Sequence, residues 1–163
     1  MTTATHRTIA VPAAPKALEA TAMLRADHKH VSGLFELYEV VRSPAKKKVI
    51  VASICTALSV HAQVEEEIFY PVVKQALKDH ELVPDASFEH ATLKALIAQV
   101  KAIEPDGEMF EAKIKVLSEY VKHHVEEEQD EMFPKARETR LDMVALGAKM
   151  AARKKDLLAS GTM

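Results

Sequence analysis

Two stretches of this chain set a histidine one helical turn ahead of a glutamate and close on an aromatic-proline step: HAQVEEEIFYP, His61 to Pro71, and HVEEEQDEMFP, His124 to Pro134. In each the histidine leads the proline by ten residues, and the glutamate four along, Glu65 or Glu128, shares its helix face. Two acid-histidine pairs, Asp27-His28 and Glu89-His90, stand upstream of them. A lone histidine on an apolar stripe is more often a hydrogen-bonded core residue than a ligand, and a run of glutamates is normally a solvated face. Here four histidines fall on four stripes, and two of them carry a carboxylate one turn on. A buried ionised glutamate is costly unless it is paired or holds a metal, and one metal site would satisfy all six groups together. Mixed imidazole and carboxylate donors suit iron, manganese or zinc. The four imidazoles His28, His61, His90 and His124 supply four bonds, and Glu65 and Glu128 as bridges supply four more. That is too many for one zinc and leaves room for solvent and a small ligand on two six-coordinate ions.

These groups need helices to carry them. Between prolines 15, 44, 84 and 105, apolar residues recur three and four apart. The pattern predicts helices from about Pro15 to Arg42, from Ser43 or Pro44 to Leu77, from Asp85 to Glu104 and from Asp106 to Glu138, with Ser43, Asp85 and Asp106 as N-caps. Their buried seams read Leu24, His28, Val31, Phe35, Tyr38; Ile50, Ile54, Ala57, His61, Val64, Ile68; Ala86, His90, Leu93, Ile97, Val100; and Ile114, Leu117, Val121, His124, Glu128. The other histidines fall away from the seams: His6 in the tail, His30 about 200° round from His28, His80 in a loop, His123 about 100° off. Glu66, Glu67, Glu126 and Glu127 read as solvated. Asp27 and Glu89 suit either a solvated role or hydrogen bonds to ligand imidazoles.

The halves repeat. Asp27-His28 and Glu89-His90 are 62 residues apart, His61 and His124 63 apart, so two hairpins related by a pseudo-twofold axis would surround one point. The join is uneven. His61 lies 16 residues before Leu77 but His90 only 5 after Asp85. Either the 78–84 segment climbs back or the helix bends at Pro71, where the Glu67 carbonyl loses its partner; Pro134 frees the Asp130 carbonyl in the same way.

Composition agrees with an all-α fold: 163 residues, 48% apolar and 28% charged, with 4 Gly and no Trp. The expected architecture is an up-and-down four-helix bundle over residues 16–138, after a flexible tail over 1–15. A short fifth helix, DMVALGAKMAARKKDLLAS, and a tail fill 139–163. A net charge of −2 offers no basic footprint for nucleic acid. No window reaches the ~20 apolar residues of a membrane span, and the lysine run at 46–48 and Arg153, Lys154 and Lys155 read as solvated faces. The single Cys55 reads as a small buried side chain in a reducing compartment, so the expectation is cytoplasmic.

As a set, "RADH", "HAQVEEEIFYP", "FEH" and "HVEEEQDEMFP" resemble the hemerythrin-like, HHE cation-binding domains, over about Leu24 to Glu138. The resemblance implies two iron ions joined by an oxo or hydroxo bridge, with His28, His61, Glu65, His90, His124 and Glu128 as ligands and zinc or manganese less favoured. Oxygen-carrying hemerythrins have a further histidine where this chain has Lys94, and an aspartate five residues after the fourth-helix histidine, where Gln129 stands. Tyr120, Tyr70, Tyr38 and Lys94 are candidates for an extra ligand or supporting contact. The departure points away from reversible carriage. The pattern without that histidine resembles bacterial hemerythrin-like proteins, which implies chemistry on a small ligand, O2, H2O2 or NO: peroxide decomposition, by a di-iron oxidoreductase if the chain is an enzyme, or nitric-oxide or oxygen handling. The alternative is a non-enzymatic oxygen or iron sensor, carrier or store.

Overall fold

In the computed structural model, residues 18–104 and 107–161 are described, and all their regular structure is helical. Helix α1, Ala20–Val40, starts where the Glu19 carboxylate accepts hydrogen bonds from Thr21 N and Ala22 N at 3.1 and 2.8 Å. Its expected start at Pro15, the 1–15 tail, His6 and the Asp106 cap lie outside the described residues. Helix α2, Pro44–Val64, is capped as expected by Ser43 and has proline in its first turn, where a missing N–H costs nothing. It runs on through a π turn, Glu65–Phe69, into α3, Tyr70–Leu77. Helix α4 is Leu82–Lys101. Helix α5, Glu108–Glu127, continues through a second π turn, Glu128–Met132, into α6, Phe133–Arg137. These four rods form the up-and-down bundle, and α7, Met143–Ser160, packs along α1 and α2.

Two expectations are corrected. The third helix starts at Leu82, three residues before Asp85. Lys78 takes the left-handed conformation (φ 51°), and the Asp79 carboxylate accepts from Glu81, Leu82 and Val83 N–H. The earlier start lifts His90 by a turn and shrinks the mismatch at the join. Second, both prolines are accommodated by a widened turn. Tyr70 N–H bonds to the Glu65 carbonyl and Phe133 N–H to the Glu128 carbonyl, each five residues back.

The core is split. One apolar cluster gathers Leu24, Val64, Phe69, Val73, Ala86, Phe133 and Met150, the other Val31, Phe35, Ile54, Leu93, Ile97, Leu117 and Val121. On every rod the seam histidine falls where the chain passes from one cluster to the other. The predicted seams are buried throughout except for Ala57 and Ile68, which are half-buried.

Helix α7 docks closely on the bundle through a glycine. Its Gly147 lies against the backbone entering α1, where a Cβ would stand 2.3 Å from Leu18 O and 2.8 Å from Ala20 N. Contrary to the solvated reading of its basic run, Arg153 Nε donates to Glu67 Oε2 at 2.6 Å and Lys154 Nζ donates to Asp27 Oδ1. Lys155 has no such partner among the described residues.

Gly147→Ala is expected to lose about 1–3 kcal/mol, because its Cβ would meet backbone that cannot rotate away. Gly33→Ala, on an exposed face of α1 with nothing within 4 Å, should gain about 0.5–1 kcal/mol from helix propensity. Thermal unfolding followed by circular dichroism should move the two midpoints in opposite directions.

Candidate metal centre

All six seam groups meet in the dry layer between the clusters. His28, His61, His90 and His124 are 7, 7, 1 and 4% exposed, and Glu65 and Glu128 are 0 and 1% exposed. They form two cages that share both carboxylates. In the first, His28 Nε2 lies 3.1 Å from His61 Nε2 and 3.2 Å from Glu128 Oε2, and His61 Nε2 lies 3.3 Å from Glu65 Oε1. In the second, His90 Nε2 lies 3.0 Å from His124 Nε2 and 3.3 Å from Glu65 Oε2, with His124 Nε2 3.6 Å from Glu128 Oε1. Each glutamate turns one oxygen to each cage.

The outer ring nitrogens fix these orientations. His61 Nδ1–H donates to Asp27 Oδ2 at 3.2 Å, His90 Nδ1–H to Glu66 Oε1 at 3.1 Å, His28 Nδ1–H to Gln129 Oε1 at 3.1 Å, and His124 Nδ1–H to Glu89 Oε2. Every imidazole therefore aims Nε2 inward. Asp27 and Glu89 take the supporting role. Glu66 is corrected from solvated to half-buried, and its other oxygen accepts from Lys94 Nζ at 2.6 Å. Glu67, Glu126 and Glu127 are exposed, as expected.

Of the three tyrosines one reaches the cages. Tyr70 Oη donates to Glu128 Oε1 at 2.6 Å and stands 3.1 Å from His90 Nε2 and 3.4 Å from Glu65 Oε2. On a regular helix Tyr70 would point about 140° from Glu65; the π turn brings the two onto one side. Phe133 takes the matching place in the other half, its ring stacked on His28 at 5.7 Å and 8°. Tyr120 and Tyr38 pack in the other apolar cluster, Tyr38 under the Lys47 ammonium. Lys94 reaches Glu66 and no cage.

The electrostatics call for cations. Burial disfavours a charged His61, yet Glu65, Asp27 and Glu128 outweigh it and hold the imidazole up at about 10. Burial likewise opposes charge on His124, and Glu89 and Glu128 push its pKa up. Burial would raise Glu65, but His61 and His90 hold it well below the usual carboxylate range. Burial and the two glutamates keep the Tyr70 phenol neutral.

A metal fits better than protons do. Glu65 Oε1 and Glu128 Oε2 are buried and receive no aligned hydrogen bond among the described residues. Donors about 2.1 Å from a common ion at 90–110° stand roughly 3.0–3.4 Å apart, and three neighbouring pairs in the first cage and two in the second already do. A bound cation lets the imidazoles shed their protons and gives both orphaned oxygens a partner. Beside the first cage, a surface groove of about 560 Å³ runs between α1, α2 and α7 to Asp27 and Val60.

Comparison with known proteins agrees with this geometry. A curated Nostoc sp. protein described as a DNA nickase is 30% identical over 111 residues. The match takes in 68% of this chain but 31% of that protein, so this chain spans about a third of it. A crystal structure of a hemerythrin HHE cation-binding domain-containing protein from Mycobacterium kansasii superposes with a TM-score of 0.77 at 21% identity, covering 88% of this chain and 89% of that one. The family model described as the hemerythrin HHE cation-binding domain matches residues 19–136, which contain both cages and all of the four rods but the last residue, Arg137. With that match over most of its length, the chain belongs to the hemerythrin HHE cation-binding domain family.

Proposed function

We propose that this protein holds two iron ions and decomposes peroxide. His28 and His61 would hold one ion, His90 and His124 the other, and Glu65 and Glu128 would bridge them. The observation that carries the reading is the pair of cages, each of two imidazoles, that share two buried carboxylates turning one oxygen to each. Two iron ions supply one-electron redox steps and positions for a small ligand. The chain's own groups supply the rest. Four outer hydrogen bonds keep the Nε2 lone pairs aimed inward, and apolar clusters above and below exclude water and bulky substrates. Tyr70 Oη keeps a proton at Glu128 Oε1 inside that dry space. The surface groove reaches Asp27, the carboxylate behind His61.

Peroxide disproportionation needs no outside reductant, because two H2O2 give two H2O and one O2. The purified chain is therefore expected to carry about two iron ions and to release one O2 per two H2O2 consumed. His61→Ala or Glu128→Ala should lower the iron content to one ion or fewer and slow oxygen release by about tenfold to hundredfold or more. Elemental analysis and an oxygen electrode measure both. One zinc per chain and no iron would overturn the reading, and a stable reversible oxygen adduct would favour a carrier.

Tyr70→Phe should keep both ions, since the six main donors remain. It is expected to change the visible absorption of the oxidised protein, which an unchanged iron count would separate from metal loss.

A further inference from the structure

The two cages share a plan, and a carboxylate backs His61 and His124 alike, but the rest of their surroundings differ. Around the first, His28 is backed by a neutral amide, Gln129, and His61 by Asp27, whose other oxygen is taken by the Lys154 ammonium. Arg25 adds a further positive charge: its guanidinium lies 5.5 Å over the Phe133 ring and donates to the Gln129 carbonyl at 3.2 Å. Around the second, both imidazoles are backed by carboxylates, Glu66 and Glu89. Lys94 offsets Glu66, but Glu89 meets no lysine or arginine among the described residues; Glu127 and the His123 imidazole stand there instead, His123 Nε2 being 3.3 Å from Glu127 Oε1 and 3.7 Å from Glu89 Oε1. Lysine and arginine therefore outnumber carboxylates around the first cage, and carboxylates outnumber them around the second.

The inner layer differs too: the unpaired oxygens Glu65 Oε1 and Glu128 Oε2 both face the first cage, while the oxygens facing the second already meet a hydroxyl. Tyr70 Oη touches three atoms of the second cage, where the first has the Phe133 ring. A hydroxyl adds an oxygen donor and an aromatic face adds none. Tyr70 need not leave for an ion to enter, because Glu128 Oε1 has a second lone pair to offer.

A carboxylate behind an imidazole makes it a stronger donor than an amide does, and negative charge within several ångströms attracts a divalent ion that positive charge repels. We propose that the two positions are unequal: the one between His90 and His124 binds a divalent ion more tightly and fills first, while the one between His28 and His61 is the weaker, exchangeable position. This rests on the two-metal reading above but not on the identity of the metal or on turnover.

The test is withdrawal of metal. The full-length chain, loaded with cobalt(II) and separated from excess, is challenged with increasing chelator, and the cobalt retained is counted by elemental analysis. The wild type is expected to lose one ion per chain at a chelator concentration about tenfold or more below that needed for the other. His28→Ala should keep the tightly held ion, whereas His90→Ala should keep only the weakly held one; circular dichroism confirms that both remain helical. A milder pair leaves every ligand in place. Gln129→Glu should tighten the weak position, and Glu66→Gln should loosen the tight one, each narrowing the interval. Loss of both ions at one chelator concentration, equal retention in His28→Ala and His90→Ala, or an interval that neither Gln129→Glu nor Glu66→Gln narrows would overturn the inequality. A wild-type chain that holds no cobalt at all would overturn the two-metal reading along with it.

Discussion

Two carboxylates at zero to one per cent exposure in the middle of a helical bundle are the constraint from which the rest of this structure follows. An isolated carboxylate in such a place would cost many kcal/mol or take up a proton. Glu65 and Glu128 instead face four imidazoles, each turned by a hydrogen bond on its far side, so the layer is charged but organised. The bundle is arranged around it. Each rod changes from one apolar cluster to the other at its histidine, which puts all four imidazoles at one level and keeps water away on both sides. An ion taken up there would replace protons as the counter-charge.

The prolines are best understood through the same layer. Pro71 and Pro134 each lack an N–H, and a regular helix would leave a carbonyl unpaired one turn back. The chain answers with a π turn that begins at the buried glutamate itself. The widened turn swings the residue five along onto the glutamate's own side, and in one half that residue is Tyr70, in the other Phe133. A backbone irregularity forced by proline is thus what places a phenol in one cage and a phenyl ring beside the other.

The helices and the six inward groups were legible in the sequence because both depend on one period. An apolar seam with histidine at a core position and glutamate four residues on can be read from spacing alone, and every such seam histidine is buried. Tyr70 was harder to place, since helical arithmetic turns it away from Glu65; only a proline following an aromatic, twice at the same distance, hinted that the period would break. Glu66 looked solvated because it sits in a run of glutamates, yet its partner His90 lies 24 residues away on another rod. Lys154 reaches Asp27 across 127 residues, a contact fixed by where α7 docks through Gly147 rather than by any local pattern. What the sequence hid was contact between rods at the outer ring of the site.

That outer ring is where the duplicated halves have parted. The six inward groups repeat from half to half: each half brings two imidazoles to a shared point and one glutamate that turns an oxygen to each cage. Residues one contact further out do not all repeat. An amide serves His28 where a carboxylate serves His90, since either accepts the Nδ1 proton, yet one is neutral and the other charged. Helix α7 deepens the difference, because it lies along α1 and α2 and neutralises Asp27, while Glu89 in the other half meets a second carboxylate. A symmetric set of inward groups is therefore embedded in an asymmetric field, and two ions held by them would differ through groups that never touch either ion.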